Sequence, residues 1–144
     1  MGLTVNDPRW KKYYPYFKAS EFACKGEACK ACGIVNVNEE FLDKLLEARL
    51  ISNVPYSINS GCRCIINNRD IGSSDDSDHV TSDTKECKGV DIITADPRRR
   101  FHVKRGLYVA GFRRIGDGYK AKKITHAGWN NEQPDNKQCV EWDY

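Results

Sequence analysis

A long polar segment divides this chain of 144 residues into two parts. Residues 67–89 contain two Asn, two Gly, five Asp and four Ser, a composition that is typical of loops and turns. Because such a segment buries little apolar surface, the packed elements must come from the residues on either side of it. A loop of this length in a compact chain is usually either functional or flexible.

The part before the polar segment predicts one helix and one strand. Asn38 is a suitable N-cap, and two acidic residues follow it in the first turn, where the helix dipole favours negative charge. Apolar side chains then recur at helical spacing, at Phe41, Leu42, Leu45, Leu46 and Leu50. Residues 54–58 predict a short strand.

The part after the polar segment predicts a strand, a helix and two further strands. Residues 90–93 form the first strand, and Asp96 and Pro97 begin a helix that Gly111 ends. Residues 112–115 and 123–126 are close enough in sequence to pair as antiparallel strands. This order of elements predicts an α+β fold, with a small, mostly antiparallel sheet and helices packed on one side of it.

The sequence predicts an N-terminal arm followed by a single domain. Residues 1–16 are aromatic and basic and predict an N-terminal arm that packs on the body of the protein. Residues 17–144 predict a single domain, since a chain of this length is short for two. The residues after the last predicted strand are expected to form a loop.

Charge and hydropathy exclude several classes of protein. Lys and Arg number 23 against 20 Asp and Glu, and the net charge of +3 is small for a nucleic-acid binder, so we expect no such partner. The basic residues at 98–105 and 120–123 are interpreted as solvated faces. The longest apolar run, residues 107–112, is far shorter than the roughly 18–20 residues that a membrane span needs. No apolar segment follows Met1, so we expect no secretory signal peptide.

Seven cysteines are an unusually high and odd number for a chain of this size. Cys24, Cys29 and Cys32 follow the pattern C-x4-C-x2-C, so their thiols can share one metal ion or form disulfides. With Cys62 as a fourth ligand, the same spacing is similar to the [2Fe–2S] loop of plant-type ferredoxins. The sequence leaves a metal site, disulfides and free thiols open.

A second group of metal-ligating residues comes from the two parts of the chain together. Asp91 interrupts an apolar strand, and a buried carboxylate needs a cation nearby. His79 ends the polar segment in Ser-Asp-His, and His126 ends a predicted strand. Two imidazoles and a carboxylate would fill three positions of a tetrahedral zinc site and leave the fourth for water. A salt bridge to Asp91 is the alternative explanation.

The order of short motifs along the chain resembles that of a known family. The motifs are Y-F-K-A-S-E-F at 16–22, S-G-C-R-C-I-I-N-N at 60–68, S-D-H at 77–79, G-V-D-I at 89–92, G-F-R-R-I-G at 111–116 and I-T-H at 124–126. Together they resemble the zinc DD-carboxypeptidases, which cleave bacterial cell-wall peptides and share their fold with the hedgehog signalling domain. The ending W-D-Y at 142–144 is similar to that of small phage-encoded members.

The resemblance implies a function and a set of site residues. His79, Asp91 and His126 would be the ligands of a zinc ion, Arg63 would hold a substrate carboxylate or carbonyl, and Ser77 would support the site and the substrate. The implied activity is hydrolysis of peptidoglycan peptides, as a D-Ala-D-Ala carboxypeptidase or a cell-wall endopeptidase. The phage-type ending implies a phage or prophage origin, with the protein in the virion or released from the host cytoplasm on lysis.

Three departures from the family pattern concern catalysis. Eleven residues, 80–90, separate His79 from Asp91, which is more than the family usually has. Lys123 and Gly128 stand at the two positions where members carry an acidic residue near the last histidine, and Cys62 replaces an aromatic residue.

Other acidic residues are candidates for the missing general base. They are Asp78, Asp83, Glu86 and Asp117, of which Glu86 is favoured because the inserted residues bring it towards the site. The alternative is a zinc-binding protein without catalysis, which serves as a virion or structural component and binds cell wall or neighbouring phage proteins.

Overall fold

The computed structural model describes residues 1–143, so Tyr144 of the W-D-Y ending lies outside the described part of the chain. Four α-helices are present in this part: α1 Glu39–Ser52, α2 Ile65–Asp70, α3 Pro97–Ala110 and α4 Tyr119–Lys122. Five strands accompany them: β1 Ile58–Ser60, β2 Gly89–Ile93, β3 Arg114–Gly118, β4 Ile124–Gly128 and β5 Val140–Asp143. Short 3-10 turns form at Pro8–Lys12, Ala19–Phe22 and Asp135–Lys137. No helix among residues 1–143 is long and apolar enough to cross a membrane.

The five strands form one sheet in the order β1-β2-β4-β3-β5. Neighbouring strands are antiparallel except for β3 and β5, which run parallel. Helices pack against this sheet, and the α+β fold predicted from the sequence is confirmed. The sheet is mixed because the last strand returns alongside β3 in the same direction.

The strand register gives the sheet one polar and one apolar face. Asp91 pairs with His126, His126 with Gly116, and Gly116 with Trp142, so these residues form one row across four strands. Successive residues of a strand point to opposite faces. The adjacent row of Val90, Ala127 and Ile115 therefore faces the other way, into the hydrophobic core.

Helices α1 and α3 cover the apolar face and pack against each other. The Asn38 side chain accepts a hydrogen bond from the Phe41 amide at 2.9 Å and caps α1, as predicted. The Asp96 side chain caps α3 in the same way, Pro97 occupies its first turn, and Gly111 ends it with φ of 100°. Both helix predictions are confirmed.

Four local predictions were wrong. Residues 54–58 were expected to form a strand, but β1 starts at Ile58. The start of the polar segment forms the short helix α2, whose first amide groups are capped by the Cys64 side chain. Strand β3 begins two residues after the predicted position, at Arg114. The tail after β4 was expected to be loop, but it contains β5, which pairs with β3.

The residues before position 17 contribute to the core. Leu3, Trp10 and Tyr13 are buried in the same cluster as the α1 and α3 side chains. Leu3 also forms an isolated β-bridge with Val37. The separation into an arm, 1–16, and a domain, 17–144, stays a prediction.

The residues inserted between His79 and Asp91 are tied to the body at several points. The Asn36 side chain donates to the Ser82 carbonyl at 2.9 Å, and the Cys87 amide donates to the Asn36 carbonyl at 2.7 Å. The Asn38 amide in turn donates to the Cys87 carbonyl at 3.0 Å. At the other end of the insertion, Val80 forms a parallel bridge with Arg63. Both ends of the inserted segment are therefore held by backbone hydrogen bonds.

Candidate metal centre and cavity

His79, Asp91 and His126 converge on one point above the polar face of the sheet. His79 Nε2 lies 3.2 Å from Asp91 Oδ1 and 3.1 Å from His126 Nδ1, and His126 Nδ1 lies 2.9 Å from Asp91 Oδ1. All three side chains are buried. Asp91 and His126 come from paired positions of β2 and β4, and His79 comes from the loop that crosses this face.

Hydrogen bonds on the far side of each ring fix which imidazole nitrogen faces the centre. His79 Nδ1 donates to the Gly61 carbonyl at 2.7 Å, so Nε2 presents its lone pair. His126 Nε2 donates to Asp78 Oδ2 at 2.9 Å, which leaves Nδ1 for the centre. Outer hydrogen bonds of this kind orient the histidine ligands of metal sites.

The three inner atoms fit a zinc ion. Zinc bonds of about 2.0–2.1 Å in tetrahedral geometry place neighbouring ligand atoms ~3.3 Å apart, and the three observed separations are 2.9, 3.1 and 3.2 Å. Three electron-pair donors that face each other at this distance repel one another unless a proton or a metal cation lies between them. The donor set and its geometry therefore suit a metal ion with a further position open to the cavity.

The electrostatics of these three side chains also favour a bound cation. Burial lowers the pKa of His126, but hydrogen bonds to Asp78 and Asp91 outweigh it and raise that pKa to about 9. Burial raises the pKa of Asp91, but the neighbouring His79 and His126 hold it well below its usual range. The site is thus built around an ionised carboxylate that attracts positive charge.

Asp78 forms a second layer behind His126, and sequence reasoning had weighed it only as a stand-in base. Its buried carboxylate accepts from His126 Nε2 at 2.9 Å and from Arg114 Nε at 3.1 Å. Burial raises the pKa of Asp78, but His126 and Arg114 lower it below the ordinary value. The carboxylate is therefore ionised and holds the His126 ring. In the sequence, the position of Asp78 directly before His79 in Ser-Asp-His was the one indication that it lies close to the metal ligands.

Two glycines of the sheet make room for this arrangement. A Cβ at Gly128 would lie 2.1 Å from Asp78 Oδ2, and one at Gly116 would lie 2.9 Å from the Trp142 ring. The Asp78 carboxylate thus occupies the space of a side chain at 128. This gives a physical reason for glycine where related proteins were expected to carry an acidic residue.

The three converging side chains line a cavity of about 380 Å³. Arg63 and Ser77 also line it, as do Asp76, Lys137 and Trp142. Arg63 is nearly buried, and its guanidinium donates to Asn68 Oδ1 at 3.2 Å and to Ser60 Oγ at 3.4 Å. The same group lies 3.9 Å from Asp91 Oδ2. Ser77 Oγ accepts from the His79 amide at 3.3 Å.

Glu86, Asp83 and Asp117 lie elsewhere. Glu86 accepts a hydrogen bond from the Asn38 side chain at 3.1 Å, and it shares a separate depression with Asp83. Asp117 lies on the helix side of the sheet, where it pairs with Arg100 at 2.5 Å. Among the described residues, the lining of the cavity does not include these three carboxylates. This placement does not favour the role of general base that was expected of Glu86.

A comparison with models of protein families shows to which family the chain belongs. The family model described as Peptidase M15 matches residues 15–127, most of the chain and all three converging side chains. The chain belongs to the M15 peptidase family. M15 peptidases are zinc enzymes, and the family indicates a peptidase that acts on peptidoglycan. The resemblance found in the sequence is thereby confirmed at the level of the family. No curated protein matches the chain.

The structure also brings cysteines together outside the M15 cavity. Sγ atoms of Cys24, Cys29, Cys32 and Cys64 all lie within 4.8 Å of one another. Cys62, which the ferredoxin-like interpretation required, is buried in the core instead. All seven cysteines are free thiols in the structure.

Proposed function

We propose that this protein is a zinc-dependent peptidase that hydrolyses peptide bonds of peptidoglycan, with His79, Asp91 and His126 as the zinc ligands. The observation that carries the proposal is the convergence of these three side chains in one cavity. Membership of the M15 family supports it.

The residues around the centre fix which ring nitrogen of each histidine ligand carries the proton. Zinc, when bound, would polarise the scissile carbonyl and lower the pKa of a bound water towards neutrality. Asp78 keeps the proton of His126 on Nε2, and the Gly61 carbonyl keeps that of His79 on Nδ1. Because the Asp78 carboxylate is itself buried and paired with Arg114, the His126 ring cannot turn without losing its hydrogen bond to Asp78.

Arg63 is the proposed substrate-binding residue. Asn68 and Ser60 accept two of its N–H groups and fix the guanidinium at the cavity wall. A guanidinium has five N–H donors in a planar fork that matches a carboxylate. The remaining donors suit the carboxylate or carbonyl of a cell-wall peptide, and Ser77 lies on the same wall.

Asp76 is the carboxylate that we propose for acid–base catalysis. Besides the ligand Asp91, the described lining of the cavity contains the carboxylates of Asp76 and Asp78. Asp78 is occupied by His126 and Arg114. Asp76 is half-exposed and accepts from Ser74 and Lys137, which hold the pKa of its carboxyl below the ordinary value, so it is ionised and suits the role of base.

Elemental analysis and digestion of purified peptidoglycan test the proposal. His79→Ala, Asp91→Ala and His126→Ala are each expected to lose the zinc of the cavity and the release of peptides. Arg63→Ala is expected to keep zinc and lose activity, and Asp76→Asn to keep zinc while kcat falls by roughly 10²- to 10⁴-fold.

His102 provides the matched control for the histidine variants. It lies on α3, on the other side of the sheet, and is half-buried against Phe101. His102→Ala is expected to keep both zinc and activity. Zinc content that is unchanged in all three ligand variants would contradict the assignment.

A second candidate function is a zinc-binding virion or structural component without catalysis, encoded by a phage or prophage. Lys123 and Gly128 favour it, because neither supplies the carboxylate that the family resemblance leads one to expect at these positions. This function predicts zinc in the cavity but no release of peptides by the wild type. Release that disappears in His126→Ala would exclude it.

A further inference from the structure

The structure points to a second metal centre: we propose that Cys24, Cys29, Cys32 and Cys64 bind a structural zinc ion. Their four sulfur atoms lie within 4.8 Å of one another, and Cys24 Sγ lies 3.6 Å from Cys29 Sγ. Zinc–sulfur bonds of about 2.3 Å in tetrahedral geometry place the sulfurs ~3.8 Å apart. The four thiols therefore lie close enough together to surround one tetrahedral ion after small shifts.

The chain around Cys29 folds into a turn that presents the thiols to one another. The Ala31 amide donates to the Gly26 carbonyl at 2.7 Å, and Lys30 and Ala31 both adopt left-handed conformations, with φ of 54° and 51°. The Gly33 amide then donates to the Cys24 carbonyl at 3.0 Å and closes the loop. Non-glycine residues in this conformation cost free energy, which a bound ion would offset.

Backbone amides point at the sulfur atoms from several sides. The Cys64 amide donates to Cys24 Sγ at 3.4 Å, and the Asn67 amide donates to Cys64 Sγ at 3.5 Å. N–H donors directed at sulfur stabilise the thiolate, which is the form that binds a metal.

Plain packing does not explain the cluster. Free cysteines behave as small apolar residues and are usually buried, but Cys32 is exposed and Cys29 and Cys64 are only half-buried. In contrast, Cys62 and Cys87 are fully covered by the core. Cys24 is the buried member of the four, and the other three thiols gather around it at the surface, which is best explained by a shared ligand.

The arrangement favours a single ion over the alternatives. A [2Fe–2S] cluster distributes its four thiolates over two iron atoms, whereas these four sulfurs surround one point. Disulfides would join the thiols in pairs and leave the amide donors without thiolate partners. Four sulfur ligands leave no open position on zinc, so this centre is structural, unlike the one in the cavity.

The ion would fasten the loop of residues 24–34 to the segment that carries Arg63. Cys64 follows Arg63 directly and is the N-cap of α2, and α2 contains Asn68, which accepts from the Arg63 guanidinium. The proposed centre therefore positions the residue to which we assign substrate binding.

Metal content and cobalt spectroscopy test this centre apart from the cavity. Wild-type protein purified without chelator is expected to contain about two zinc ions per chain, and Cys29→Ser or Cys32→Ser about one. His126→Ala is also expected to contain about one ion, which must be the thiolate-bound one. Cys139→Ser is the matched control, because Cys139 is exposed and lies outside the cluster.

Substitution of cobalt for zinc identifies the ligands directly. The thiolate-to-cobalt charge-transfer band is expected in wild type, Cys139→Ser and His126→Ala, and is expected to disappear in Cys32→Ser. The His126→Ala measurement decides the proposal even if a cysteine variant fails to fold. A missing band in that variant, bound iron in place of zinc, or an intact mass that shows disulfides would each overturn the proposal.

Discussion

Replacement of Asp78 by Asn tests how the site holds His126. The Asp78 side chain is 1% exposed and the Arg114 side chain is 10% exposed, so the variant leaves a nearly buried guanidinium without its counter-charge. Removal of one partner from a buried ion pair costs about 3–5 kcal/mol. Arg114 keeps a hydrogen bond to the Lys137 carbonyl and the face of the Trp142 ring. We therefore expect a cost at the lower end of this range, a decrease of ~3 kcal/mol in the free energy of unfolding.

The same substitution is expected to weaken metal binding. Loss of the carboxylate behind a histidine ligand typically lowers metal affinity by about 10- to 100-fold, or roughly 1.4–2.7 kcal/mol. Urea unfolding gives the stability, and competition with a metal indicator gives the affinity. The control is Asp75→Asn in the same loop, because its solvent-exposed ion pair with Arg69 contributes little to stability.

The pH dependence of stability gives an independent check on Asp78. Its folded-state pKa lies below the ordinary value of 3.8, so its contribution is complete above the unfolded-state pKa and is lost as pH falls through the folded-state pKa. The difference in unfolding free energy between wild type and Asp78→Asn should therefore shrink as the pH falls below about 4. Equal stability and equal zinc affinity of the two proteins at neutral pH would refute the orienting role of Asp78.

Three further substitutions test other parts of the structure. Asn38→Ala removes the cap of α1 and should cost about 1 kcal/mol in urea unfolding; an unchanged midpoint would mean that the cap does not stabilise the helix. Gly116→Ala forces a methyl group against Trp142 and the His126 Cβ, so we expect a loss of about 1–3 kcal/mol in the same assay. Glu86→Gln should change peptidoglycan digestion by less than about twofold, because Glu86 lies outside the cavity. A large loss of activity in that variant would restore Glu86 as a catalytic candidate.

Much of the fold followed from local patterns. The caps at Asn38 and Asp96 and the apolar spacing of the two long helices are determined within each helix, so the sequence predicted them well. Strand β5 was missed because a strand of four residues depends on its pairing with β3, which no local pattern contains. Helix α2 was missed because its N-cap is a cysteine, a residue that is not typical at this position.

In the candidate site too, features that depend on local sequence were predicted, and features that depend on contacts between distant segments were missed. His79, Asp91 and His126 were predicted as ligands because their residue types bind metals, because Asp91 interrupts an apolar strand, and above all because the order of the motifs resembles that of the zinc peptidases. The role of Asp78 and the grouping of Cys64 with Cys24 depend on contacts between distant segments. Glu86 was favoured because the inserted residues were expected to bring it towards the site, but its carboxylate accepts from the Asn38 side chain and is not part of the described lining of the cavity.

The anchored insertion between His79 and Asp91 has a consequence for how this fold can change. Its ends are held by Arg63 on one side and by Asn36 and Asn38 on the other, so its length does not determine where the two side chains lie. Doubling the length of a flexible loop costs only about 0.6 kcal/mol of closure entropy. Evolution or an engineer can therefore vary or graft sequence here at little thermodynamic cost. A search for related chains should accordingly allow a variable gap between these two positions.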